Sequence, residues 1–134
     1  MSVAKDFRRF IIADADVTIS QIEEGTTSEL YIGSQGFIWF GRNSTQRHRT
    51  FDQASGVPEE QNFDLEIYHP DPDVVEACAI AIHNWDCYRG TFGNATVQGI
   101  FVDTQNDDYI PRVNFTDVEK FDSAFFSLEL RSYK

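Results

Sequence analysis

The stretch FDLEIYHPDPDVVEACAIAIHNW, residues 63–85, carries two periodicities in succession and decides the class of fold. In its first part Phe63, Leu65 and Ile67 alternate with Asp64, Glu66 and Tyr68. Successive side chains on a strand point to opposite faces, so this alternation predicts a strand over 63–69 with one buried side. Asp71-Pro72-Asp73 then changes the period. An acid at the N-cap, a proline at the first helical position and a second acid in the first turn all suit the positive end of a helix dipole. From there Val74, Ala77, Cys78, Ala81, Ile82 and Trp85 hold an apolar stripe at helical spacing, and the helix is expected to stop before Gly90.

Upstream, VAKDFRRFIIA (3–13) places Val3, Phe7, Phe10 and Ile11 on one stripe, with Lys5, Asp6, Arg8 and Arg9 largely outside it, and predicts an amphipathic helix. ADADVTISQIEEGTTSE (13–29) has no long period and reads as a short helical or extended piece followed by a loop. A strand is expected at 29–33 and a stronger one at 37–42, where FIWFGR is rich in β-formers between Gly36 and Gly41. The apolar signal then stops, and NSTQRHRTFDQASGVPEEQ (43–61) reads as a long polar loop, of the kind that is usually functional. Downstream, 96–103 and 109–113 read as a hairpin across the turn-rich TQNDD. The chain closes on an alternating strand over 124–133, with Phe126, Leu128 and Leu130 facing one way. The sum is a single α+β domain spanning 1–134: a mixed, mostly antiparallel sheet of about five strands, with an N-terminal and a central helix packed on it.

With 134 residues, 41% hydrophobic and 14% aromatic, the chain can fill one core, and twelve Phe against one Met weight that core toward large rings. Twenty-two acidic against eleven basic residues give a formal charge of −11. That charge repels a phosphate backbone, so specific nucleic-acid binding is not expected. MSVAKDFRRF lacks the apolar core of a signal peptide, and no stretch approaches the ~20 apolar residues of a membrane span. Cys78 and Cys87, taken as one helical pattern, stand roughly 13 Å apart at ~1.5 Å per residue, too far for a disulfide. Both read as reduced thiols of a cytosolic protein, in which the sequons at Asn43, Asn94 and Asn114 carry no weight.

The search for chemistry returns little. Asp71 and Asp73, and Asp103, Asp107 and Asp108, form acidic groups that lack the glycine and terminal Glu of a calcium loop, and read as cap and turn residues. His48, His69 and His83 have no partner at ligand spacing, so no metal is expected. Gly33-Ser34-Gln35-Gly36 puts its serine in the wrong place for a nucleophile elbow, and no phosphate loop or dinucleotide fingerprint occurs. Carboxylate pairs suited to glycoside cleavage are compatible with so acidic a chain. The expectation is a protein without catalytic residues, cofactor or metal. The most distinctive remaining feature is the cationic loop TQRHRTF (45–51), where Arg47, His48, Arg49 and Phe51 form a candidate oligomer interface complementary to the acidic face of a neighbouring copy.

Three segments resemble the tail terminator, or tail completion, proteins of long-tailed bacteriophages. DFRRFIIADADV (6–17) is similar to their opening helix and the Ala-Asp-x-x-Val stretch after it. FDLEIYHPDPDVVEACAIAIHNWDCYRG (63–90) resembles their strand followed by a helix rich in small residues. DDYIPRVNFTDVEKFDSAFFSLELRSY (107–133) resembles their acidic loop and closing strand. GTTSELYIGSQGFIWFGR (25–42) departs from the family in lacking a Pro-rich approach to the first strands. The resemblance implies a non-enzymatic structural protein of a phage or prophage, assembling in the host cytoplasm and residing in the virion tail. It implies a homo-oligomeric ring, a hexamer in that family, which caps the tail tube and meets tail tube and head connector proteins around an acidic lumen. Two other readings follow from the residues alone: an acidic DNA mimic that occupies a nucleic-acid-binding enzyme, and a small hydrolase built on carboxylates.

Overall fold

A computed structural model describes residues 3–14, 17–19, 22–24, 36–47, 59–92, 95–113 and 120–133. In chain order the elements are α1 (Val3–Ala13), β1 (Ile22–Glu24), β2 (Phe37–Arg47), β3 (Glu59–His69), α2 (Pro72–His83), β4 (Tyr88–Phe92), β5 (Ala95–Thr104) and β6 (Asp122–Tyr133). The strands make one sheet in the order β1-β2-β3-β6-β5-β4. The β1–β2 pair is parallel and the other four are antiparallel. The fold is thus the expected α+β domain with a mixed sheet, but of six strands among the described residues rather than about five.

The inner face of the sheet is the one the apolar periodicities define. Ile38 and Phe40 of β2, Phe63, Leu65 and Ile67 of β3, and Phe126, Leu128 and Leu130 of β6 meet Phe7 and Ile11 of α1 and Val75, Cys78 and Ile82 of α2 in one core. The stripe of α2 is rotated slightly from the expected one: Val75 is buried where Val74 is half-buried, and Ala77 is exposed. Asp71 caps the helix by accepting from the Asp73 amide at 3.0 Å, as its sequence predicts. The two helices are tied by Trp85, whose indole N–H donates to Asp14 Oδ2 at 2.6 Å, and whose ring meets Phe7 and Phe10 edge-on.

Helix α1 touches both β1 and β4, the two edge strands. A flat sheet of this order would separate those edges by roughly 24 Å at ~4.8 Å per strand spacing. A helix is only ~10 Å across, so the sheet must curl around α1 for both contacts to form. Bulges at Tyr88/Gly90 and Val97/Gly99 supply local bending at the β4 side.

Several expectations are corrected. The predicted strand at 29–33 falls outside the described residues. The expected loop at 43–61 is corrected at both ends, because β2 runs on to Arg47 and β3 starts at Glu59, with a bulge at Arg42/Ser44, while residues 48–58 lie outside the described residues; polar strand ends leave no apolar signal to read. Residues 109–113 are not a strand and form no hairpin with β5, whose partners are β4 and β6. Cys87 does not continue the helix: it sits past its end at φ 65°, in a turn where the Tyr88 amide donates to the Trp85 carbonyl at 2.9 Å, and its own amide donates to the Ile100 carbonyl of β5 at 2.7 Å. Both cysteines are free thiols, Cys78 buried and Cys87 exposed.

Gly36 opens β2 at φ +76°, where a Cβ would stand 2.3 Å from the Tyr68 carbonyl oxygen and 2.8 Å from His69 Cα. Both obstacles are backbone and cannot swing aside. Gly36→Ala is therefore expected to lower stability by about 2 kcal/mol or more, measured by urea denaturation. Unchanged stability would contradict the close approach of β2 to β3 at this end.

Candidate functional site

The alternation over 63–69 predicts one wet side for β3, and the structure contradicts it. Asp64, Glu66 and Tyr68 are all buried, with Glu66 at 0% exposure. They lie on the outer face of the sheet, away from the helices. There the chain between β5 and β6 leaves the hairpin path and crosses the sheet, laying residues 105–113 over β6, β3 and β2 as a strap. A second apolar cluster of Phe37, Trp39, Tyr68 and Val113, with Phe121 and Phe125 against it, fills the space beneath.

Glu66 is the fixed point. Its Oε1 accepts from the Tyr68 hydroxyl at 2.5 Å and the Val113 amide at 3.4 Å. Its Oε2 accepts from the Tyr109 hydroxyl at 2.5 Å and the Arg112 amide at 2.8 Å. Four donors on two carboxylate oxygens account for its full accepting capacity. Two of those donors are backbone amides that the sequence suggested for a strand ladder; here a side chain satisfies them instead.

Asp64 holds the strap a second time. Its Oδ1 accepts from the Gln105 amide group at 2.8 Å, and its Oδ2 pairs with Arg112 Nη1 at 3.1 Å. Gln105 also donates to the Phe126 carbonyl at 3.1 Å, which anchors the start of the strap on β6. The Arg112 guanidinium lies over the Trp39 ring, 4.8 Å from its centroid. Gly41 permits that stack: a Cβ there would stand 2.5 Å from the indole, so the absence of a side chain lets the Trp39 ring lie along the strand. Asp64 is the cross-strand partner of Gly41, which brings indole, guanidinium and carboxylate together by register alone.

Burial and the bonds to Glu66 push both tyrosines upward in pKa. For Tyr68 desolvation leads, followed by the Glu66 hydrogen bond and charge; Tyr109 follows the same order, with Arg112 opposing. A phenolate beside a buried carboxylate would be doubly unfavourable, so each hydroxyl stays a donor.

Residues singled out in the sequence are dispersed. Arg47 ends β2 with Glu59 as its cross-strand partner, and Gln46 faces Glu60, so acidic residues of β3 lie along the cationic strand end. His48, Arg49 and Phe51 lie outside the described residues. His69 Nδ1 accepts from the Asp71 amide at 2.9 Å and helps shape the turn into α2; His83 packs edge-on against Phe126. Asp103, Asp107 and Asp108 are exposed on and beside the strap. Among the described residues no group of three or more His, Cys, Asp or Glu is placed to hold a metal ion, and no helix is long and apolar enough to cross a membrane.

Sequence reasoning missed Asp64, Glu66, Tyr68, Tyr109 and Arg112 as a unit. A signal was present in FIWFGR: Phe37 and Trp39 alternate with Ile38 and Phe40, so β2 has no polar side and its sheet must be covered on both faces. No protein-family model matches the chain, and no curated protein matches its sequence.

Two outcomes follow from this geometry. Glu66→Gln puts an N–H₂ among four donors and is expected to cost about 3 kcal/mol in urea denaturation, whereas Glu76→Gln on the exposed side of α2 should stay within about 0.5 kcal/mol. The tyrosines also set an alkaline limit. Unfolded tyrosine titrates near pH 10 while the folded pair holds its protons longer. Their contribution is thus complete below pH 10 and declines as pH rises beyond it, because the unfolded chain loses protons first. Tyr109→Phe should flatten the fall of stability between about pH 10 and 12 relative to the parent chain; an identical slope would contradict the assignment.

Proposed function

We propose that this chain is a non-enzymatic structural protein that assembles with copies of itself, in the manner of the phage tail terminators it resembles. On this reading it forms a ring at the end of a tail tube and joins it to head connector proteins. The observation that carries the reading is the state of its buried acids. Both oxygens of Glu66 and both of Asp64 are occupied by donors from the chain itself. Glu66 has no accepting position left to take a proton from a substrate or to ligate an ion, and both oxygens of Asp64 are already engaged with Gln105 and Arg112. What remains for interaction is the surface.

That surface supports assembly through charge. The β2–β3 hairpin ladder reaches Arg47 and Glu59, which places Arg47 at one end of the sheet in a chain of net charge −11, and Arg49 follows two positions on in the sequence. Cations in this stretch of sequence suit the acidic face of a neighbouring copy and would set register in a closed ring. A second reading, an acidic DNA mimic, draws on the exposed Asp103, Asp107 and Asp108 beside and on the strap.

Sedimentation at increasing protein concentration separates the two. The ring reading expects a defined multimer, and Arg47→Glu with Arg49→Glu should shift it toward monomer. An unchanged mass distribution in that double variant would remove the hairpin from the interface. A persistent monomer that inhibits a DNA-binding enzyme would replace the ring reading with the mimic.

A further inference from the structure

The 105–113 strap is attached to the sheet differently from every strand beneath it. Interior strands β3 and β6 are laddered on both sides, to β2 and β6 and to β3 and β5 respectively. Among the described residues, the strap joins the sheet backbone directly only at its start, where the Gln105 amide donates to the Phe125 carbonyl at 3.1 Å. From Tyr109 onward its bonds run to two side chains of one strand, Asp64 and Glu66. Its outer side is wet: Asn106, Asp107, Asp108, Pro111 and Arg112 are exposed, and Ile110 is 81% exposed.

From this arrangement we propose that residues 106–112 are a latched strap, opening and closing as a unit while the sheet stays folded, with Glu66 as the latch. Releasing it breaks a handful of hydrogen bonds gathered on two carboxylates, whereas releasing β3 breaks two full ladders and both apolar clusters. Segments with few buried apolar contacts and localised hydrogen bonding open at lower free energy than the global transition. Val113, buried in the outer cluster, marks the boundary that stays with the sheet longest. Opening uncovers Trp39, on whose ring Arg112 rests, and wets the Glu66 carboxylate. Among the described residues, the charged and titratable groups that face the latch are Asp64, Tyr68, Tyr109 and Arg112, so the strap carries a cation that pairs with Asp64 and removes it when it lifts. The inference is independent of whether the chain forms rings.

Native-state amide hydrogen exchange, residue by residue, tests it. The Arg112 amide is expected to exchange at least about tenfold faster than the ladder amides of β3 and β6. Tyr109→Phe, which removes one donor from Glu66, should accelerate Arg112 by about tenfold more while leaving the ladder amides less affected. In a Trp85→Phe background, fluorescence quenching of Trp39 by a soluble quencher should rise in Tyr109→Phe with the far-ultraviolet circular dichroism unchanged. Arg112 exchange matching the ladder amides in the parent chain, with all of them shifting together in Tyr109→Phe, would show that strap and sheet open only as one and would overturn the proposal. The parent-chain comparison stands even where a variant fails to fold.

Discussion

The outer half of this protein depends on a carboxylate placed where water cannot reach it. Taking an ionised acid out of water costs several kcal/mol even after relaxation, and only well-aligned donors offset it. Glu66 is at 0% exposure, so its donors must be present whenever the strap is closed. That requirement dictates the path of a distant segment: the backbone amides of Arg112 and Val113 and the Tyr109 hydroxyl are drawn to one point on β3. Once there, the strap closes an apolar cluster that would otherwise face solvent, and the cover in turn keeps the carboxylate dry. Each condition sustains the other.

The same economy shapes the neighbouring strand. Trp39 occupies the outer face because Gly41 leaves room for its ring, and the ring then offers a platform for Arg112. The cation so placed meets Asp64, the residue directly across the ladder from Gly41. Acids that are bound in this way serve architecture. For a chain of net charge −11, the proposed role in assembly then rests on the remaining surface charges and on the hairpin that carries Arg47, while the interior supplies a rigid frame.

Much of the fold was legible because periodicity reports burial directly. Phe7 and Ile11 on α1, the Asp71 cap and Pro72 of α2, and the apolar members of the β3 and β6 alternations all lie where their spacing puts them. The misses share one cause. Sequence patterns treat a polar residue as a wet one, and Asp64 and Glu66 break that rule because their partners other than Tyr68 come from more than 40 positions away. Residues 109–113 looked like a strand since Tyr109, Ile110 and Val113 favour extended backbone, and the amides that follow do find acceptors, on a side chain. Strand β1, three residues long, is too short to show a period, and β4 was hidden behind the helix signal that ran toward Gly90. The Arg47 end of β2 read as loop because polar strand termini resemble loops in composition.

A double-mutant cycle between Glu66→Gln and Tyr109→Phe tests the central claim most directly, since it isolates the coupling between latch and strap from the cost of either change alone. The buried hydrogen bond predicts that the two losses fall short of additivity by about 1 to 3 kcal/mol in equilibrium unfolding. Losses that add within about 0.3 kcal/mol would mean that the two groups do not interact in the folded protein, and the account of the outer face would fail with them.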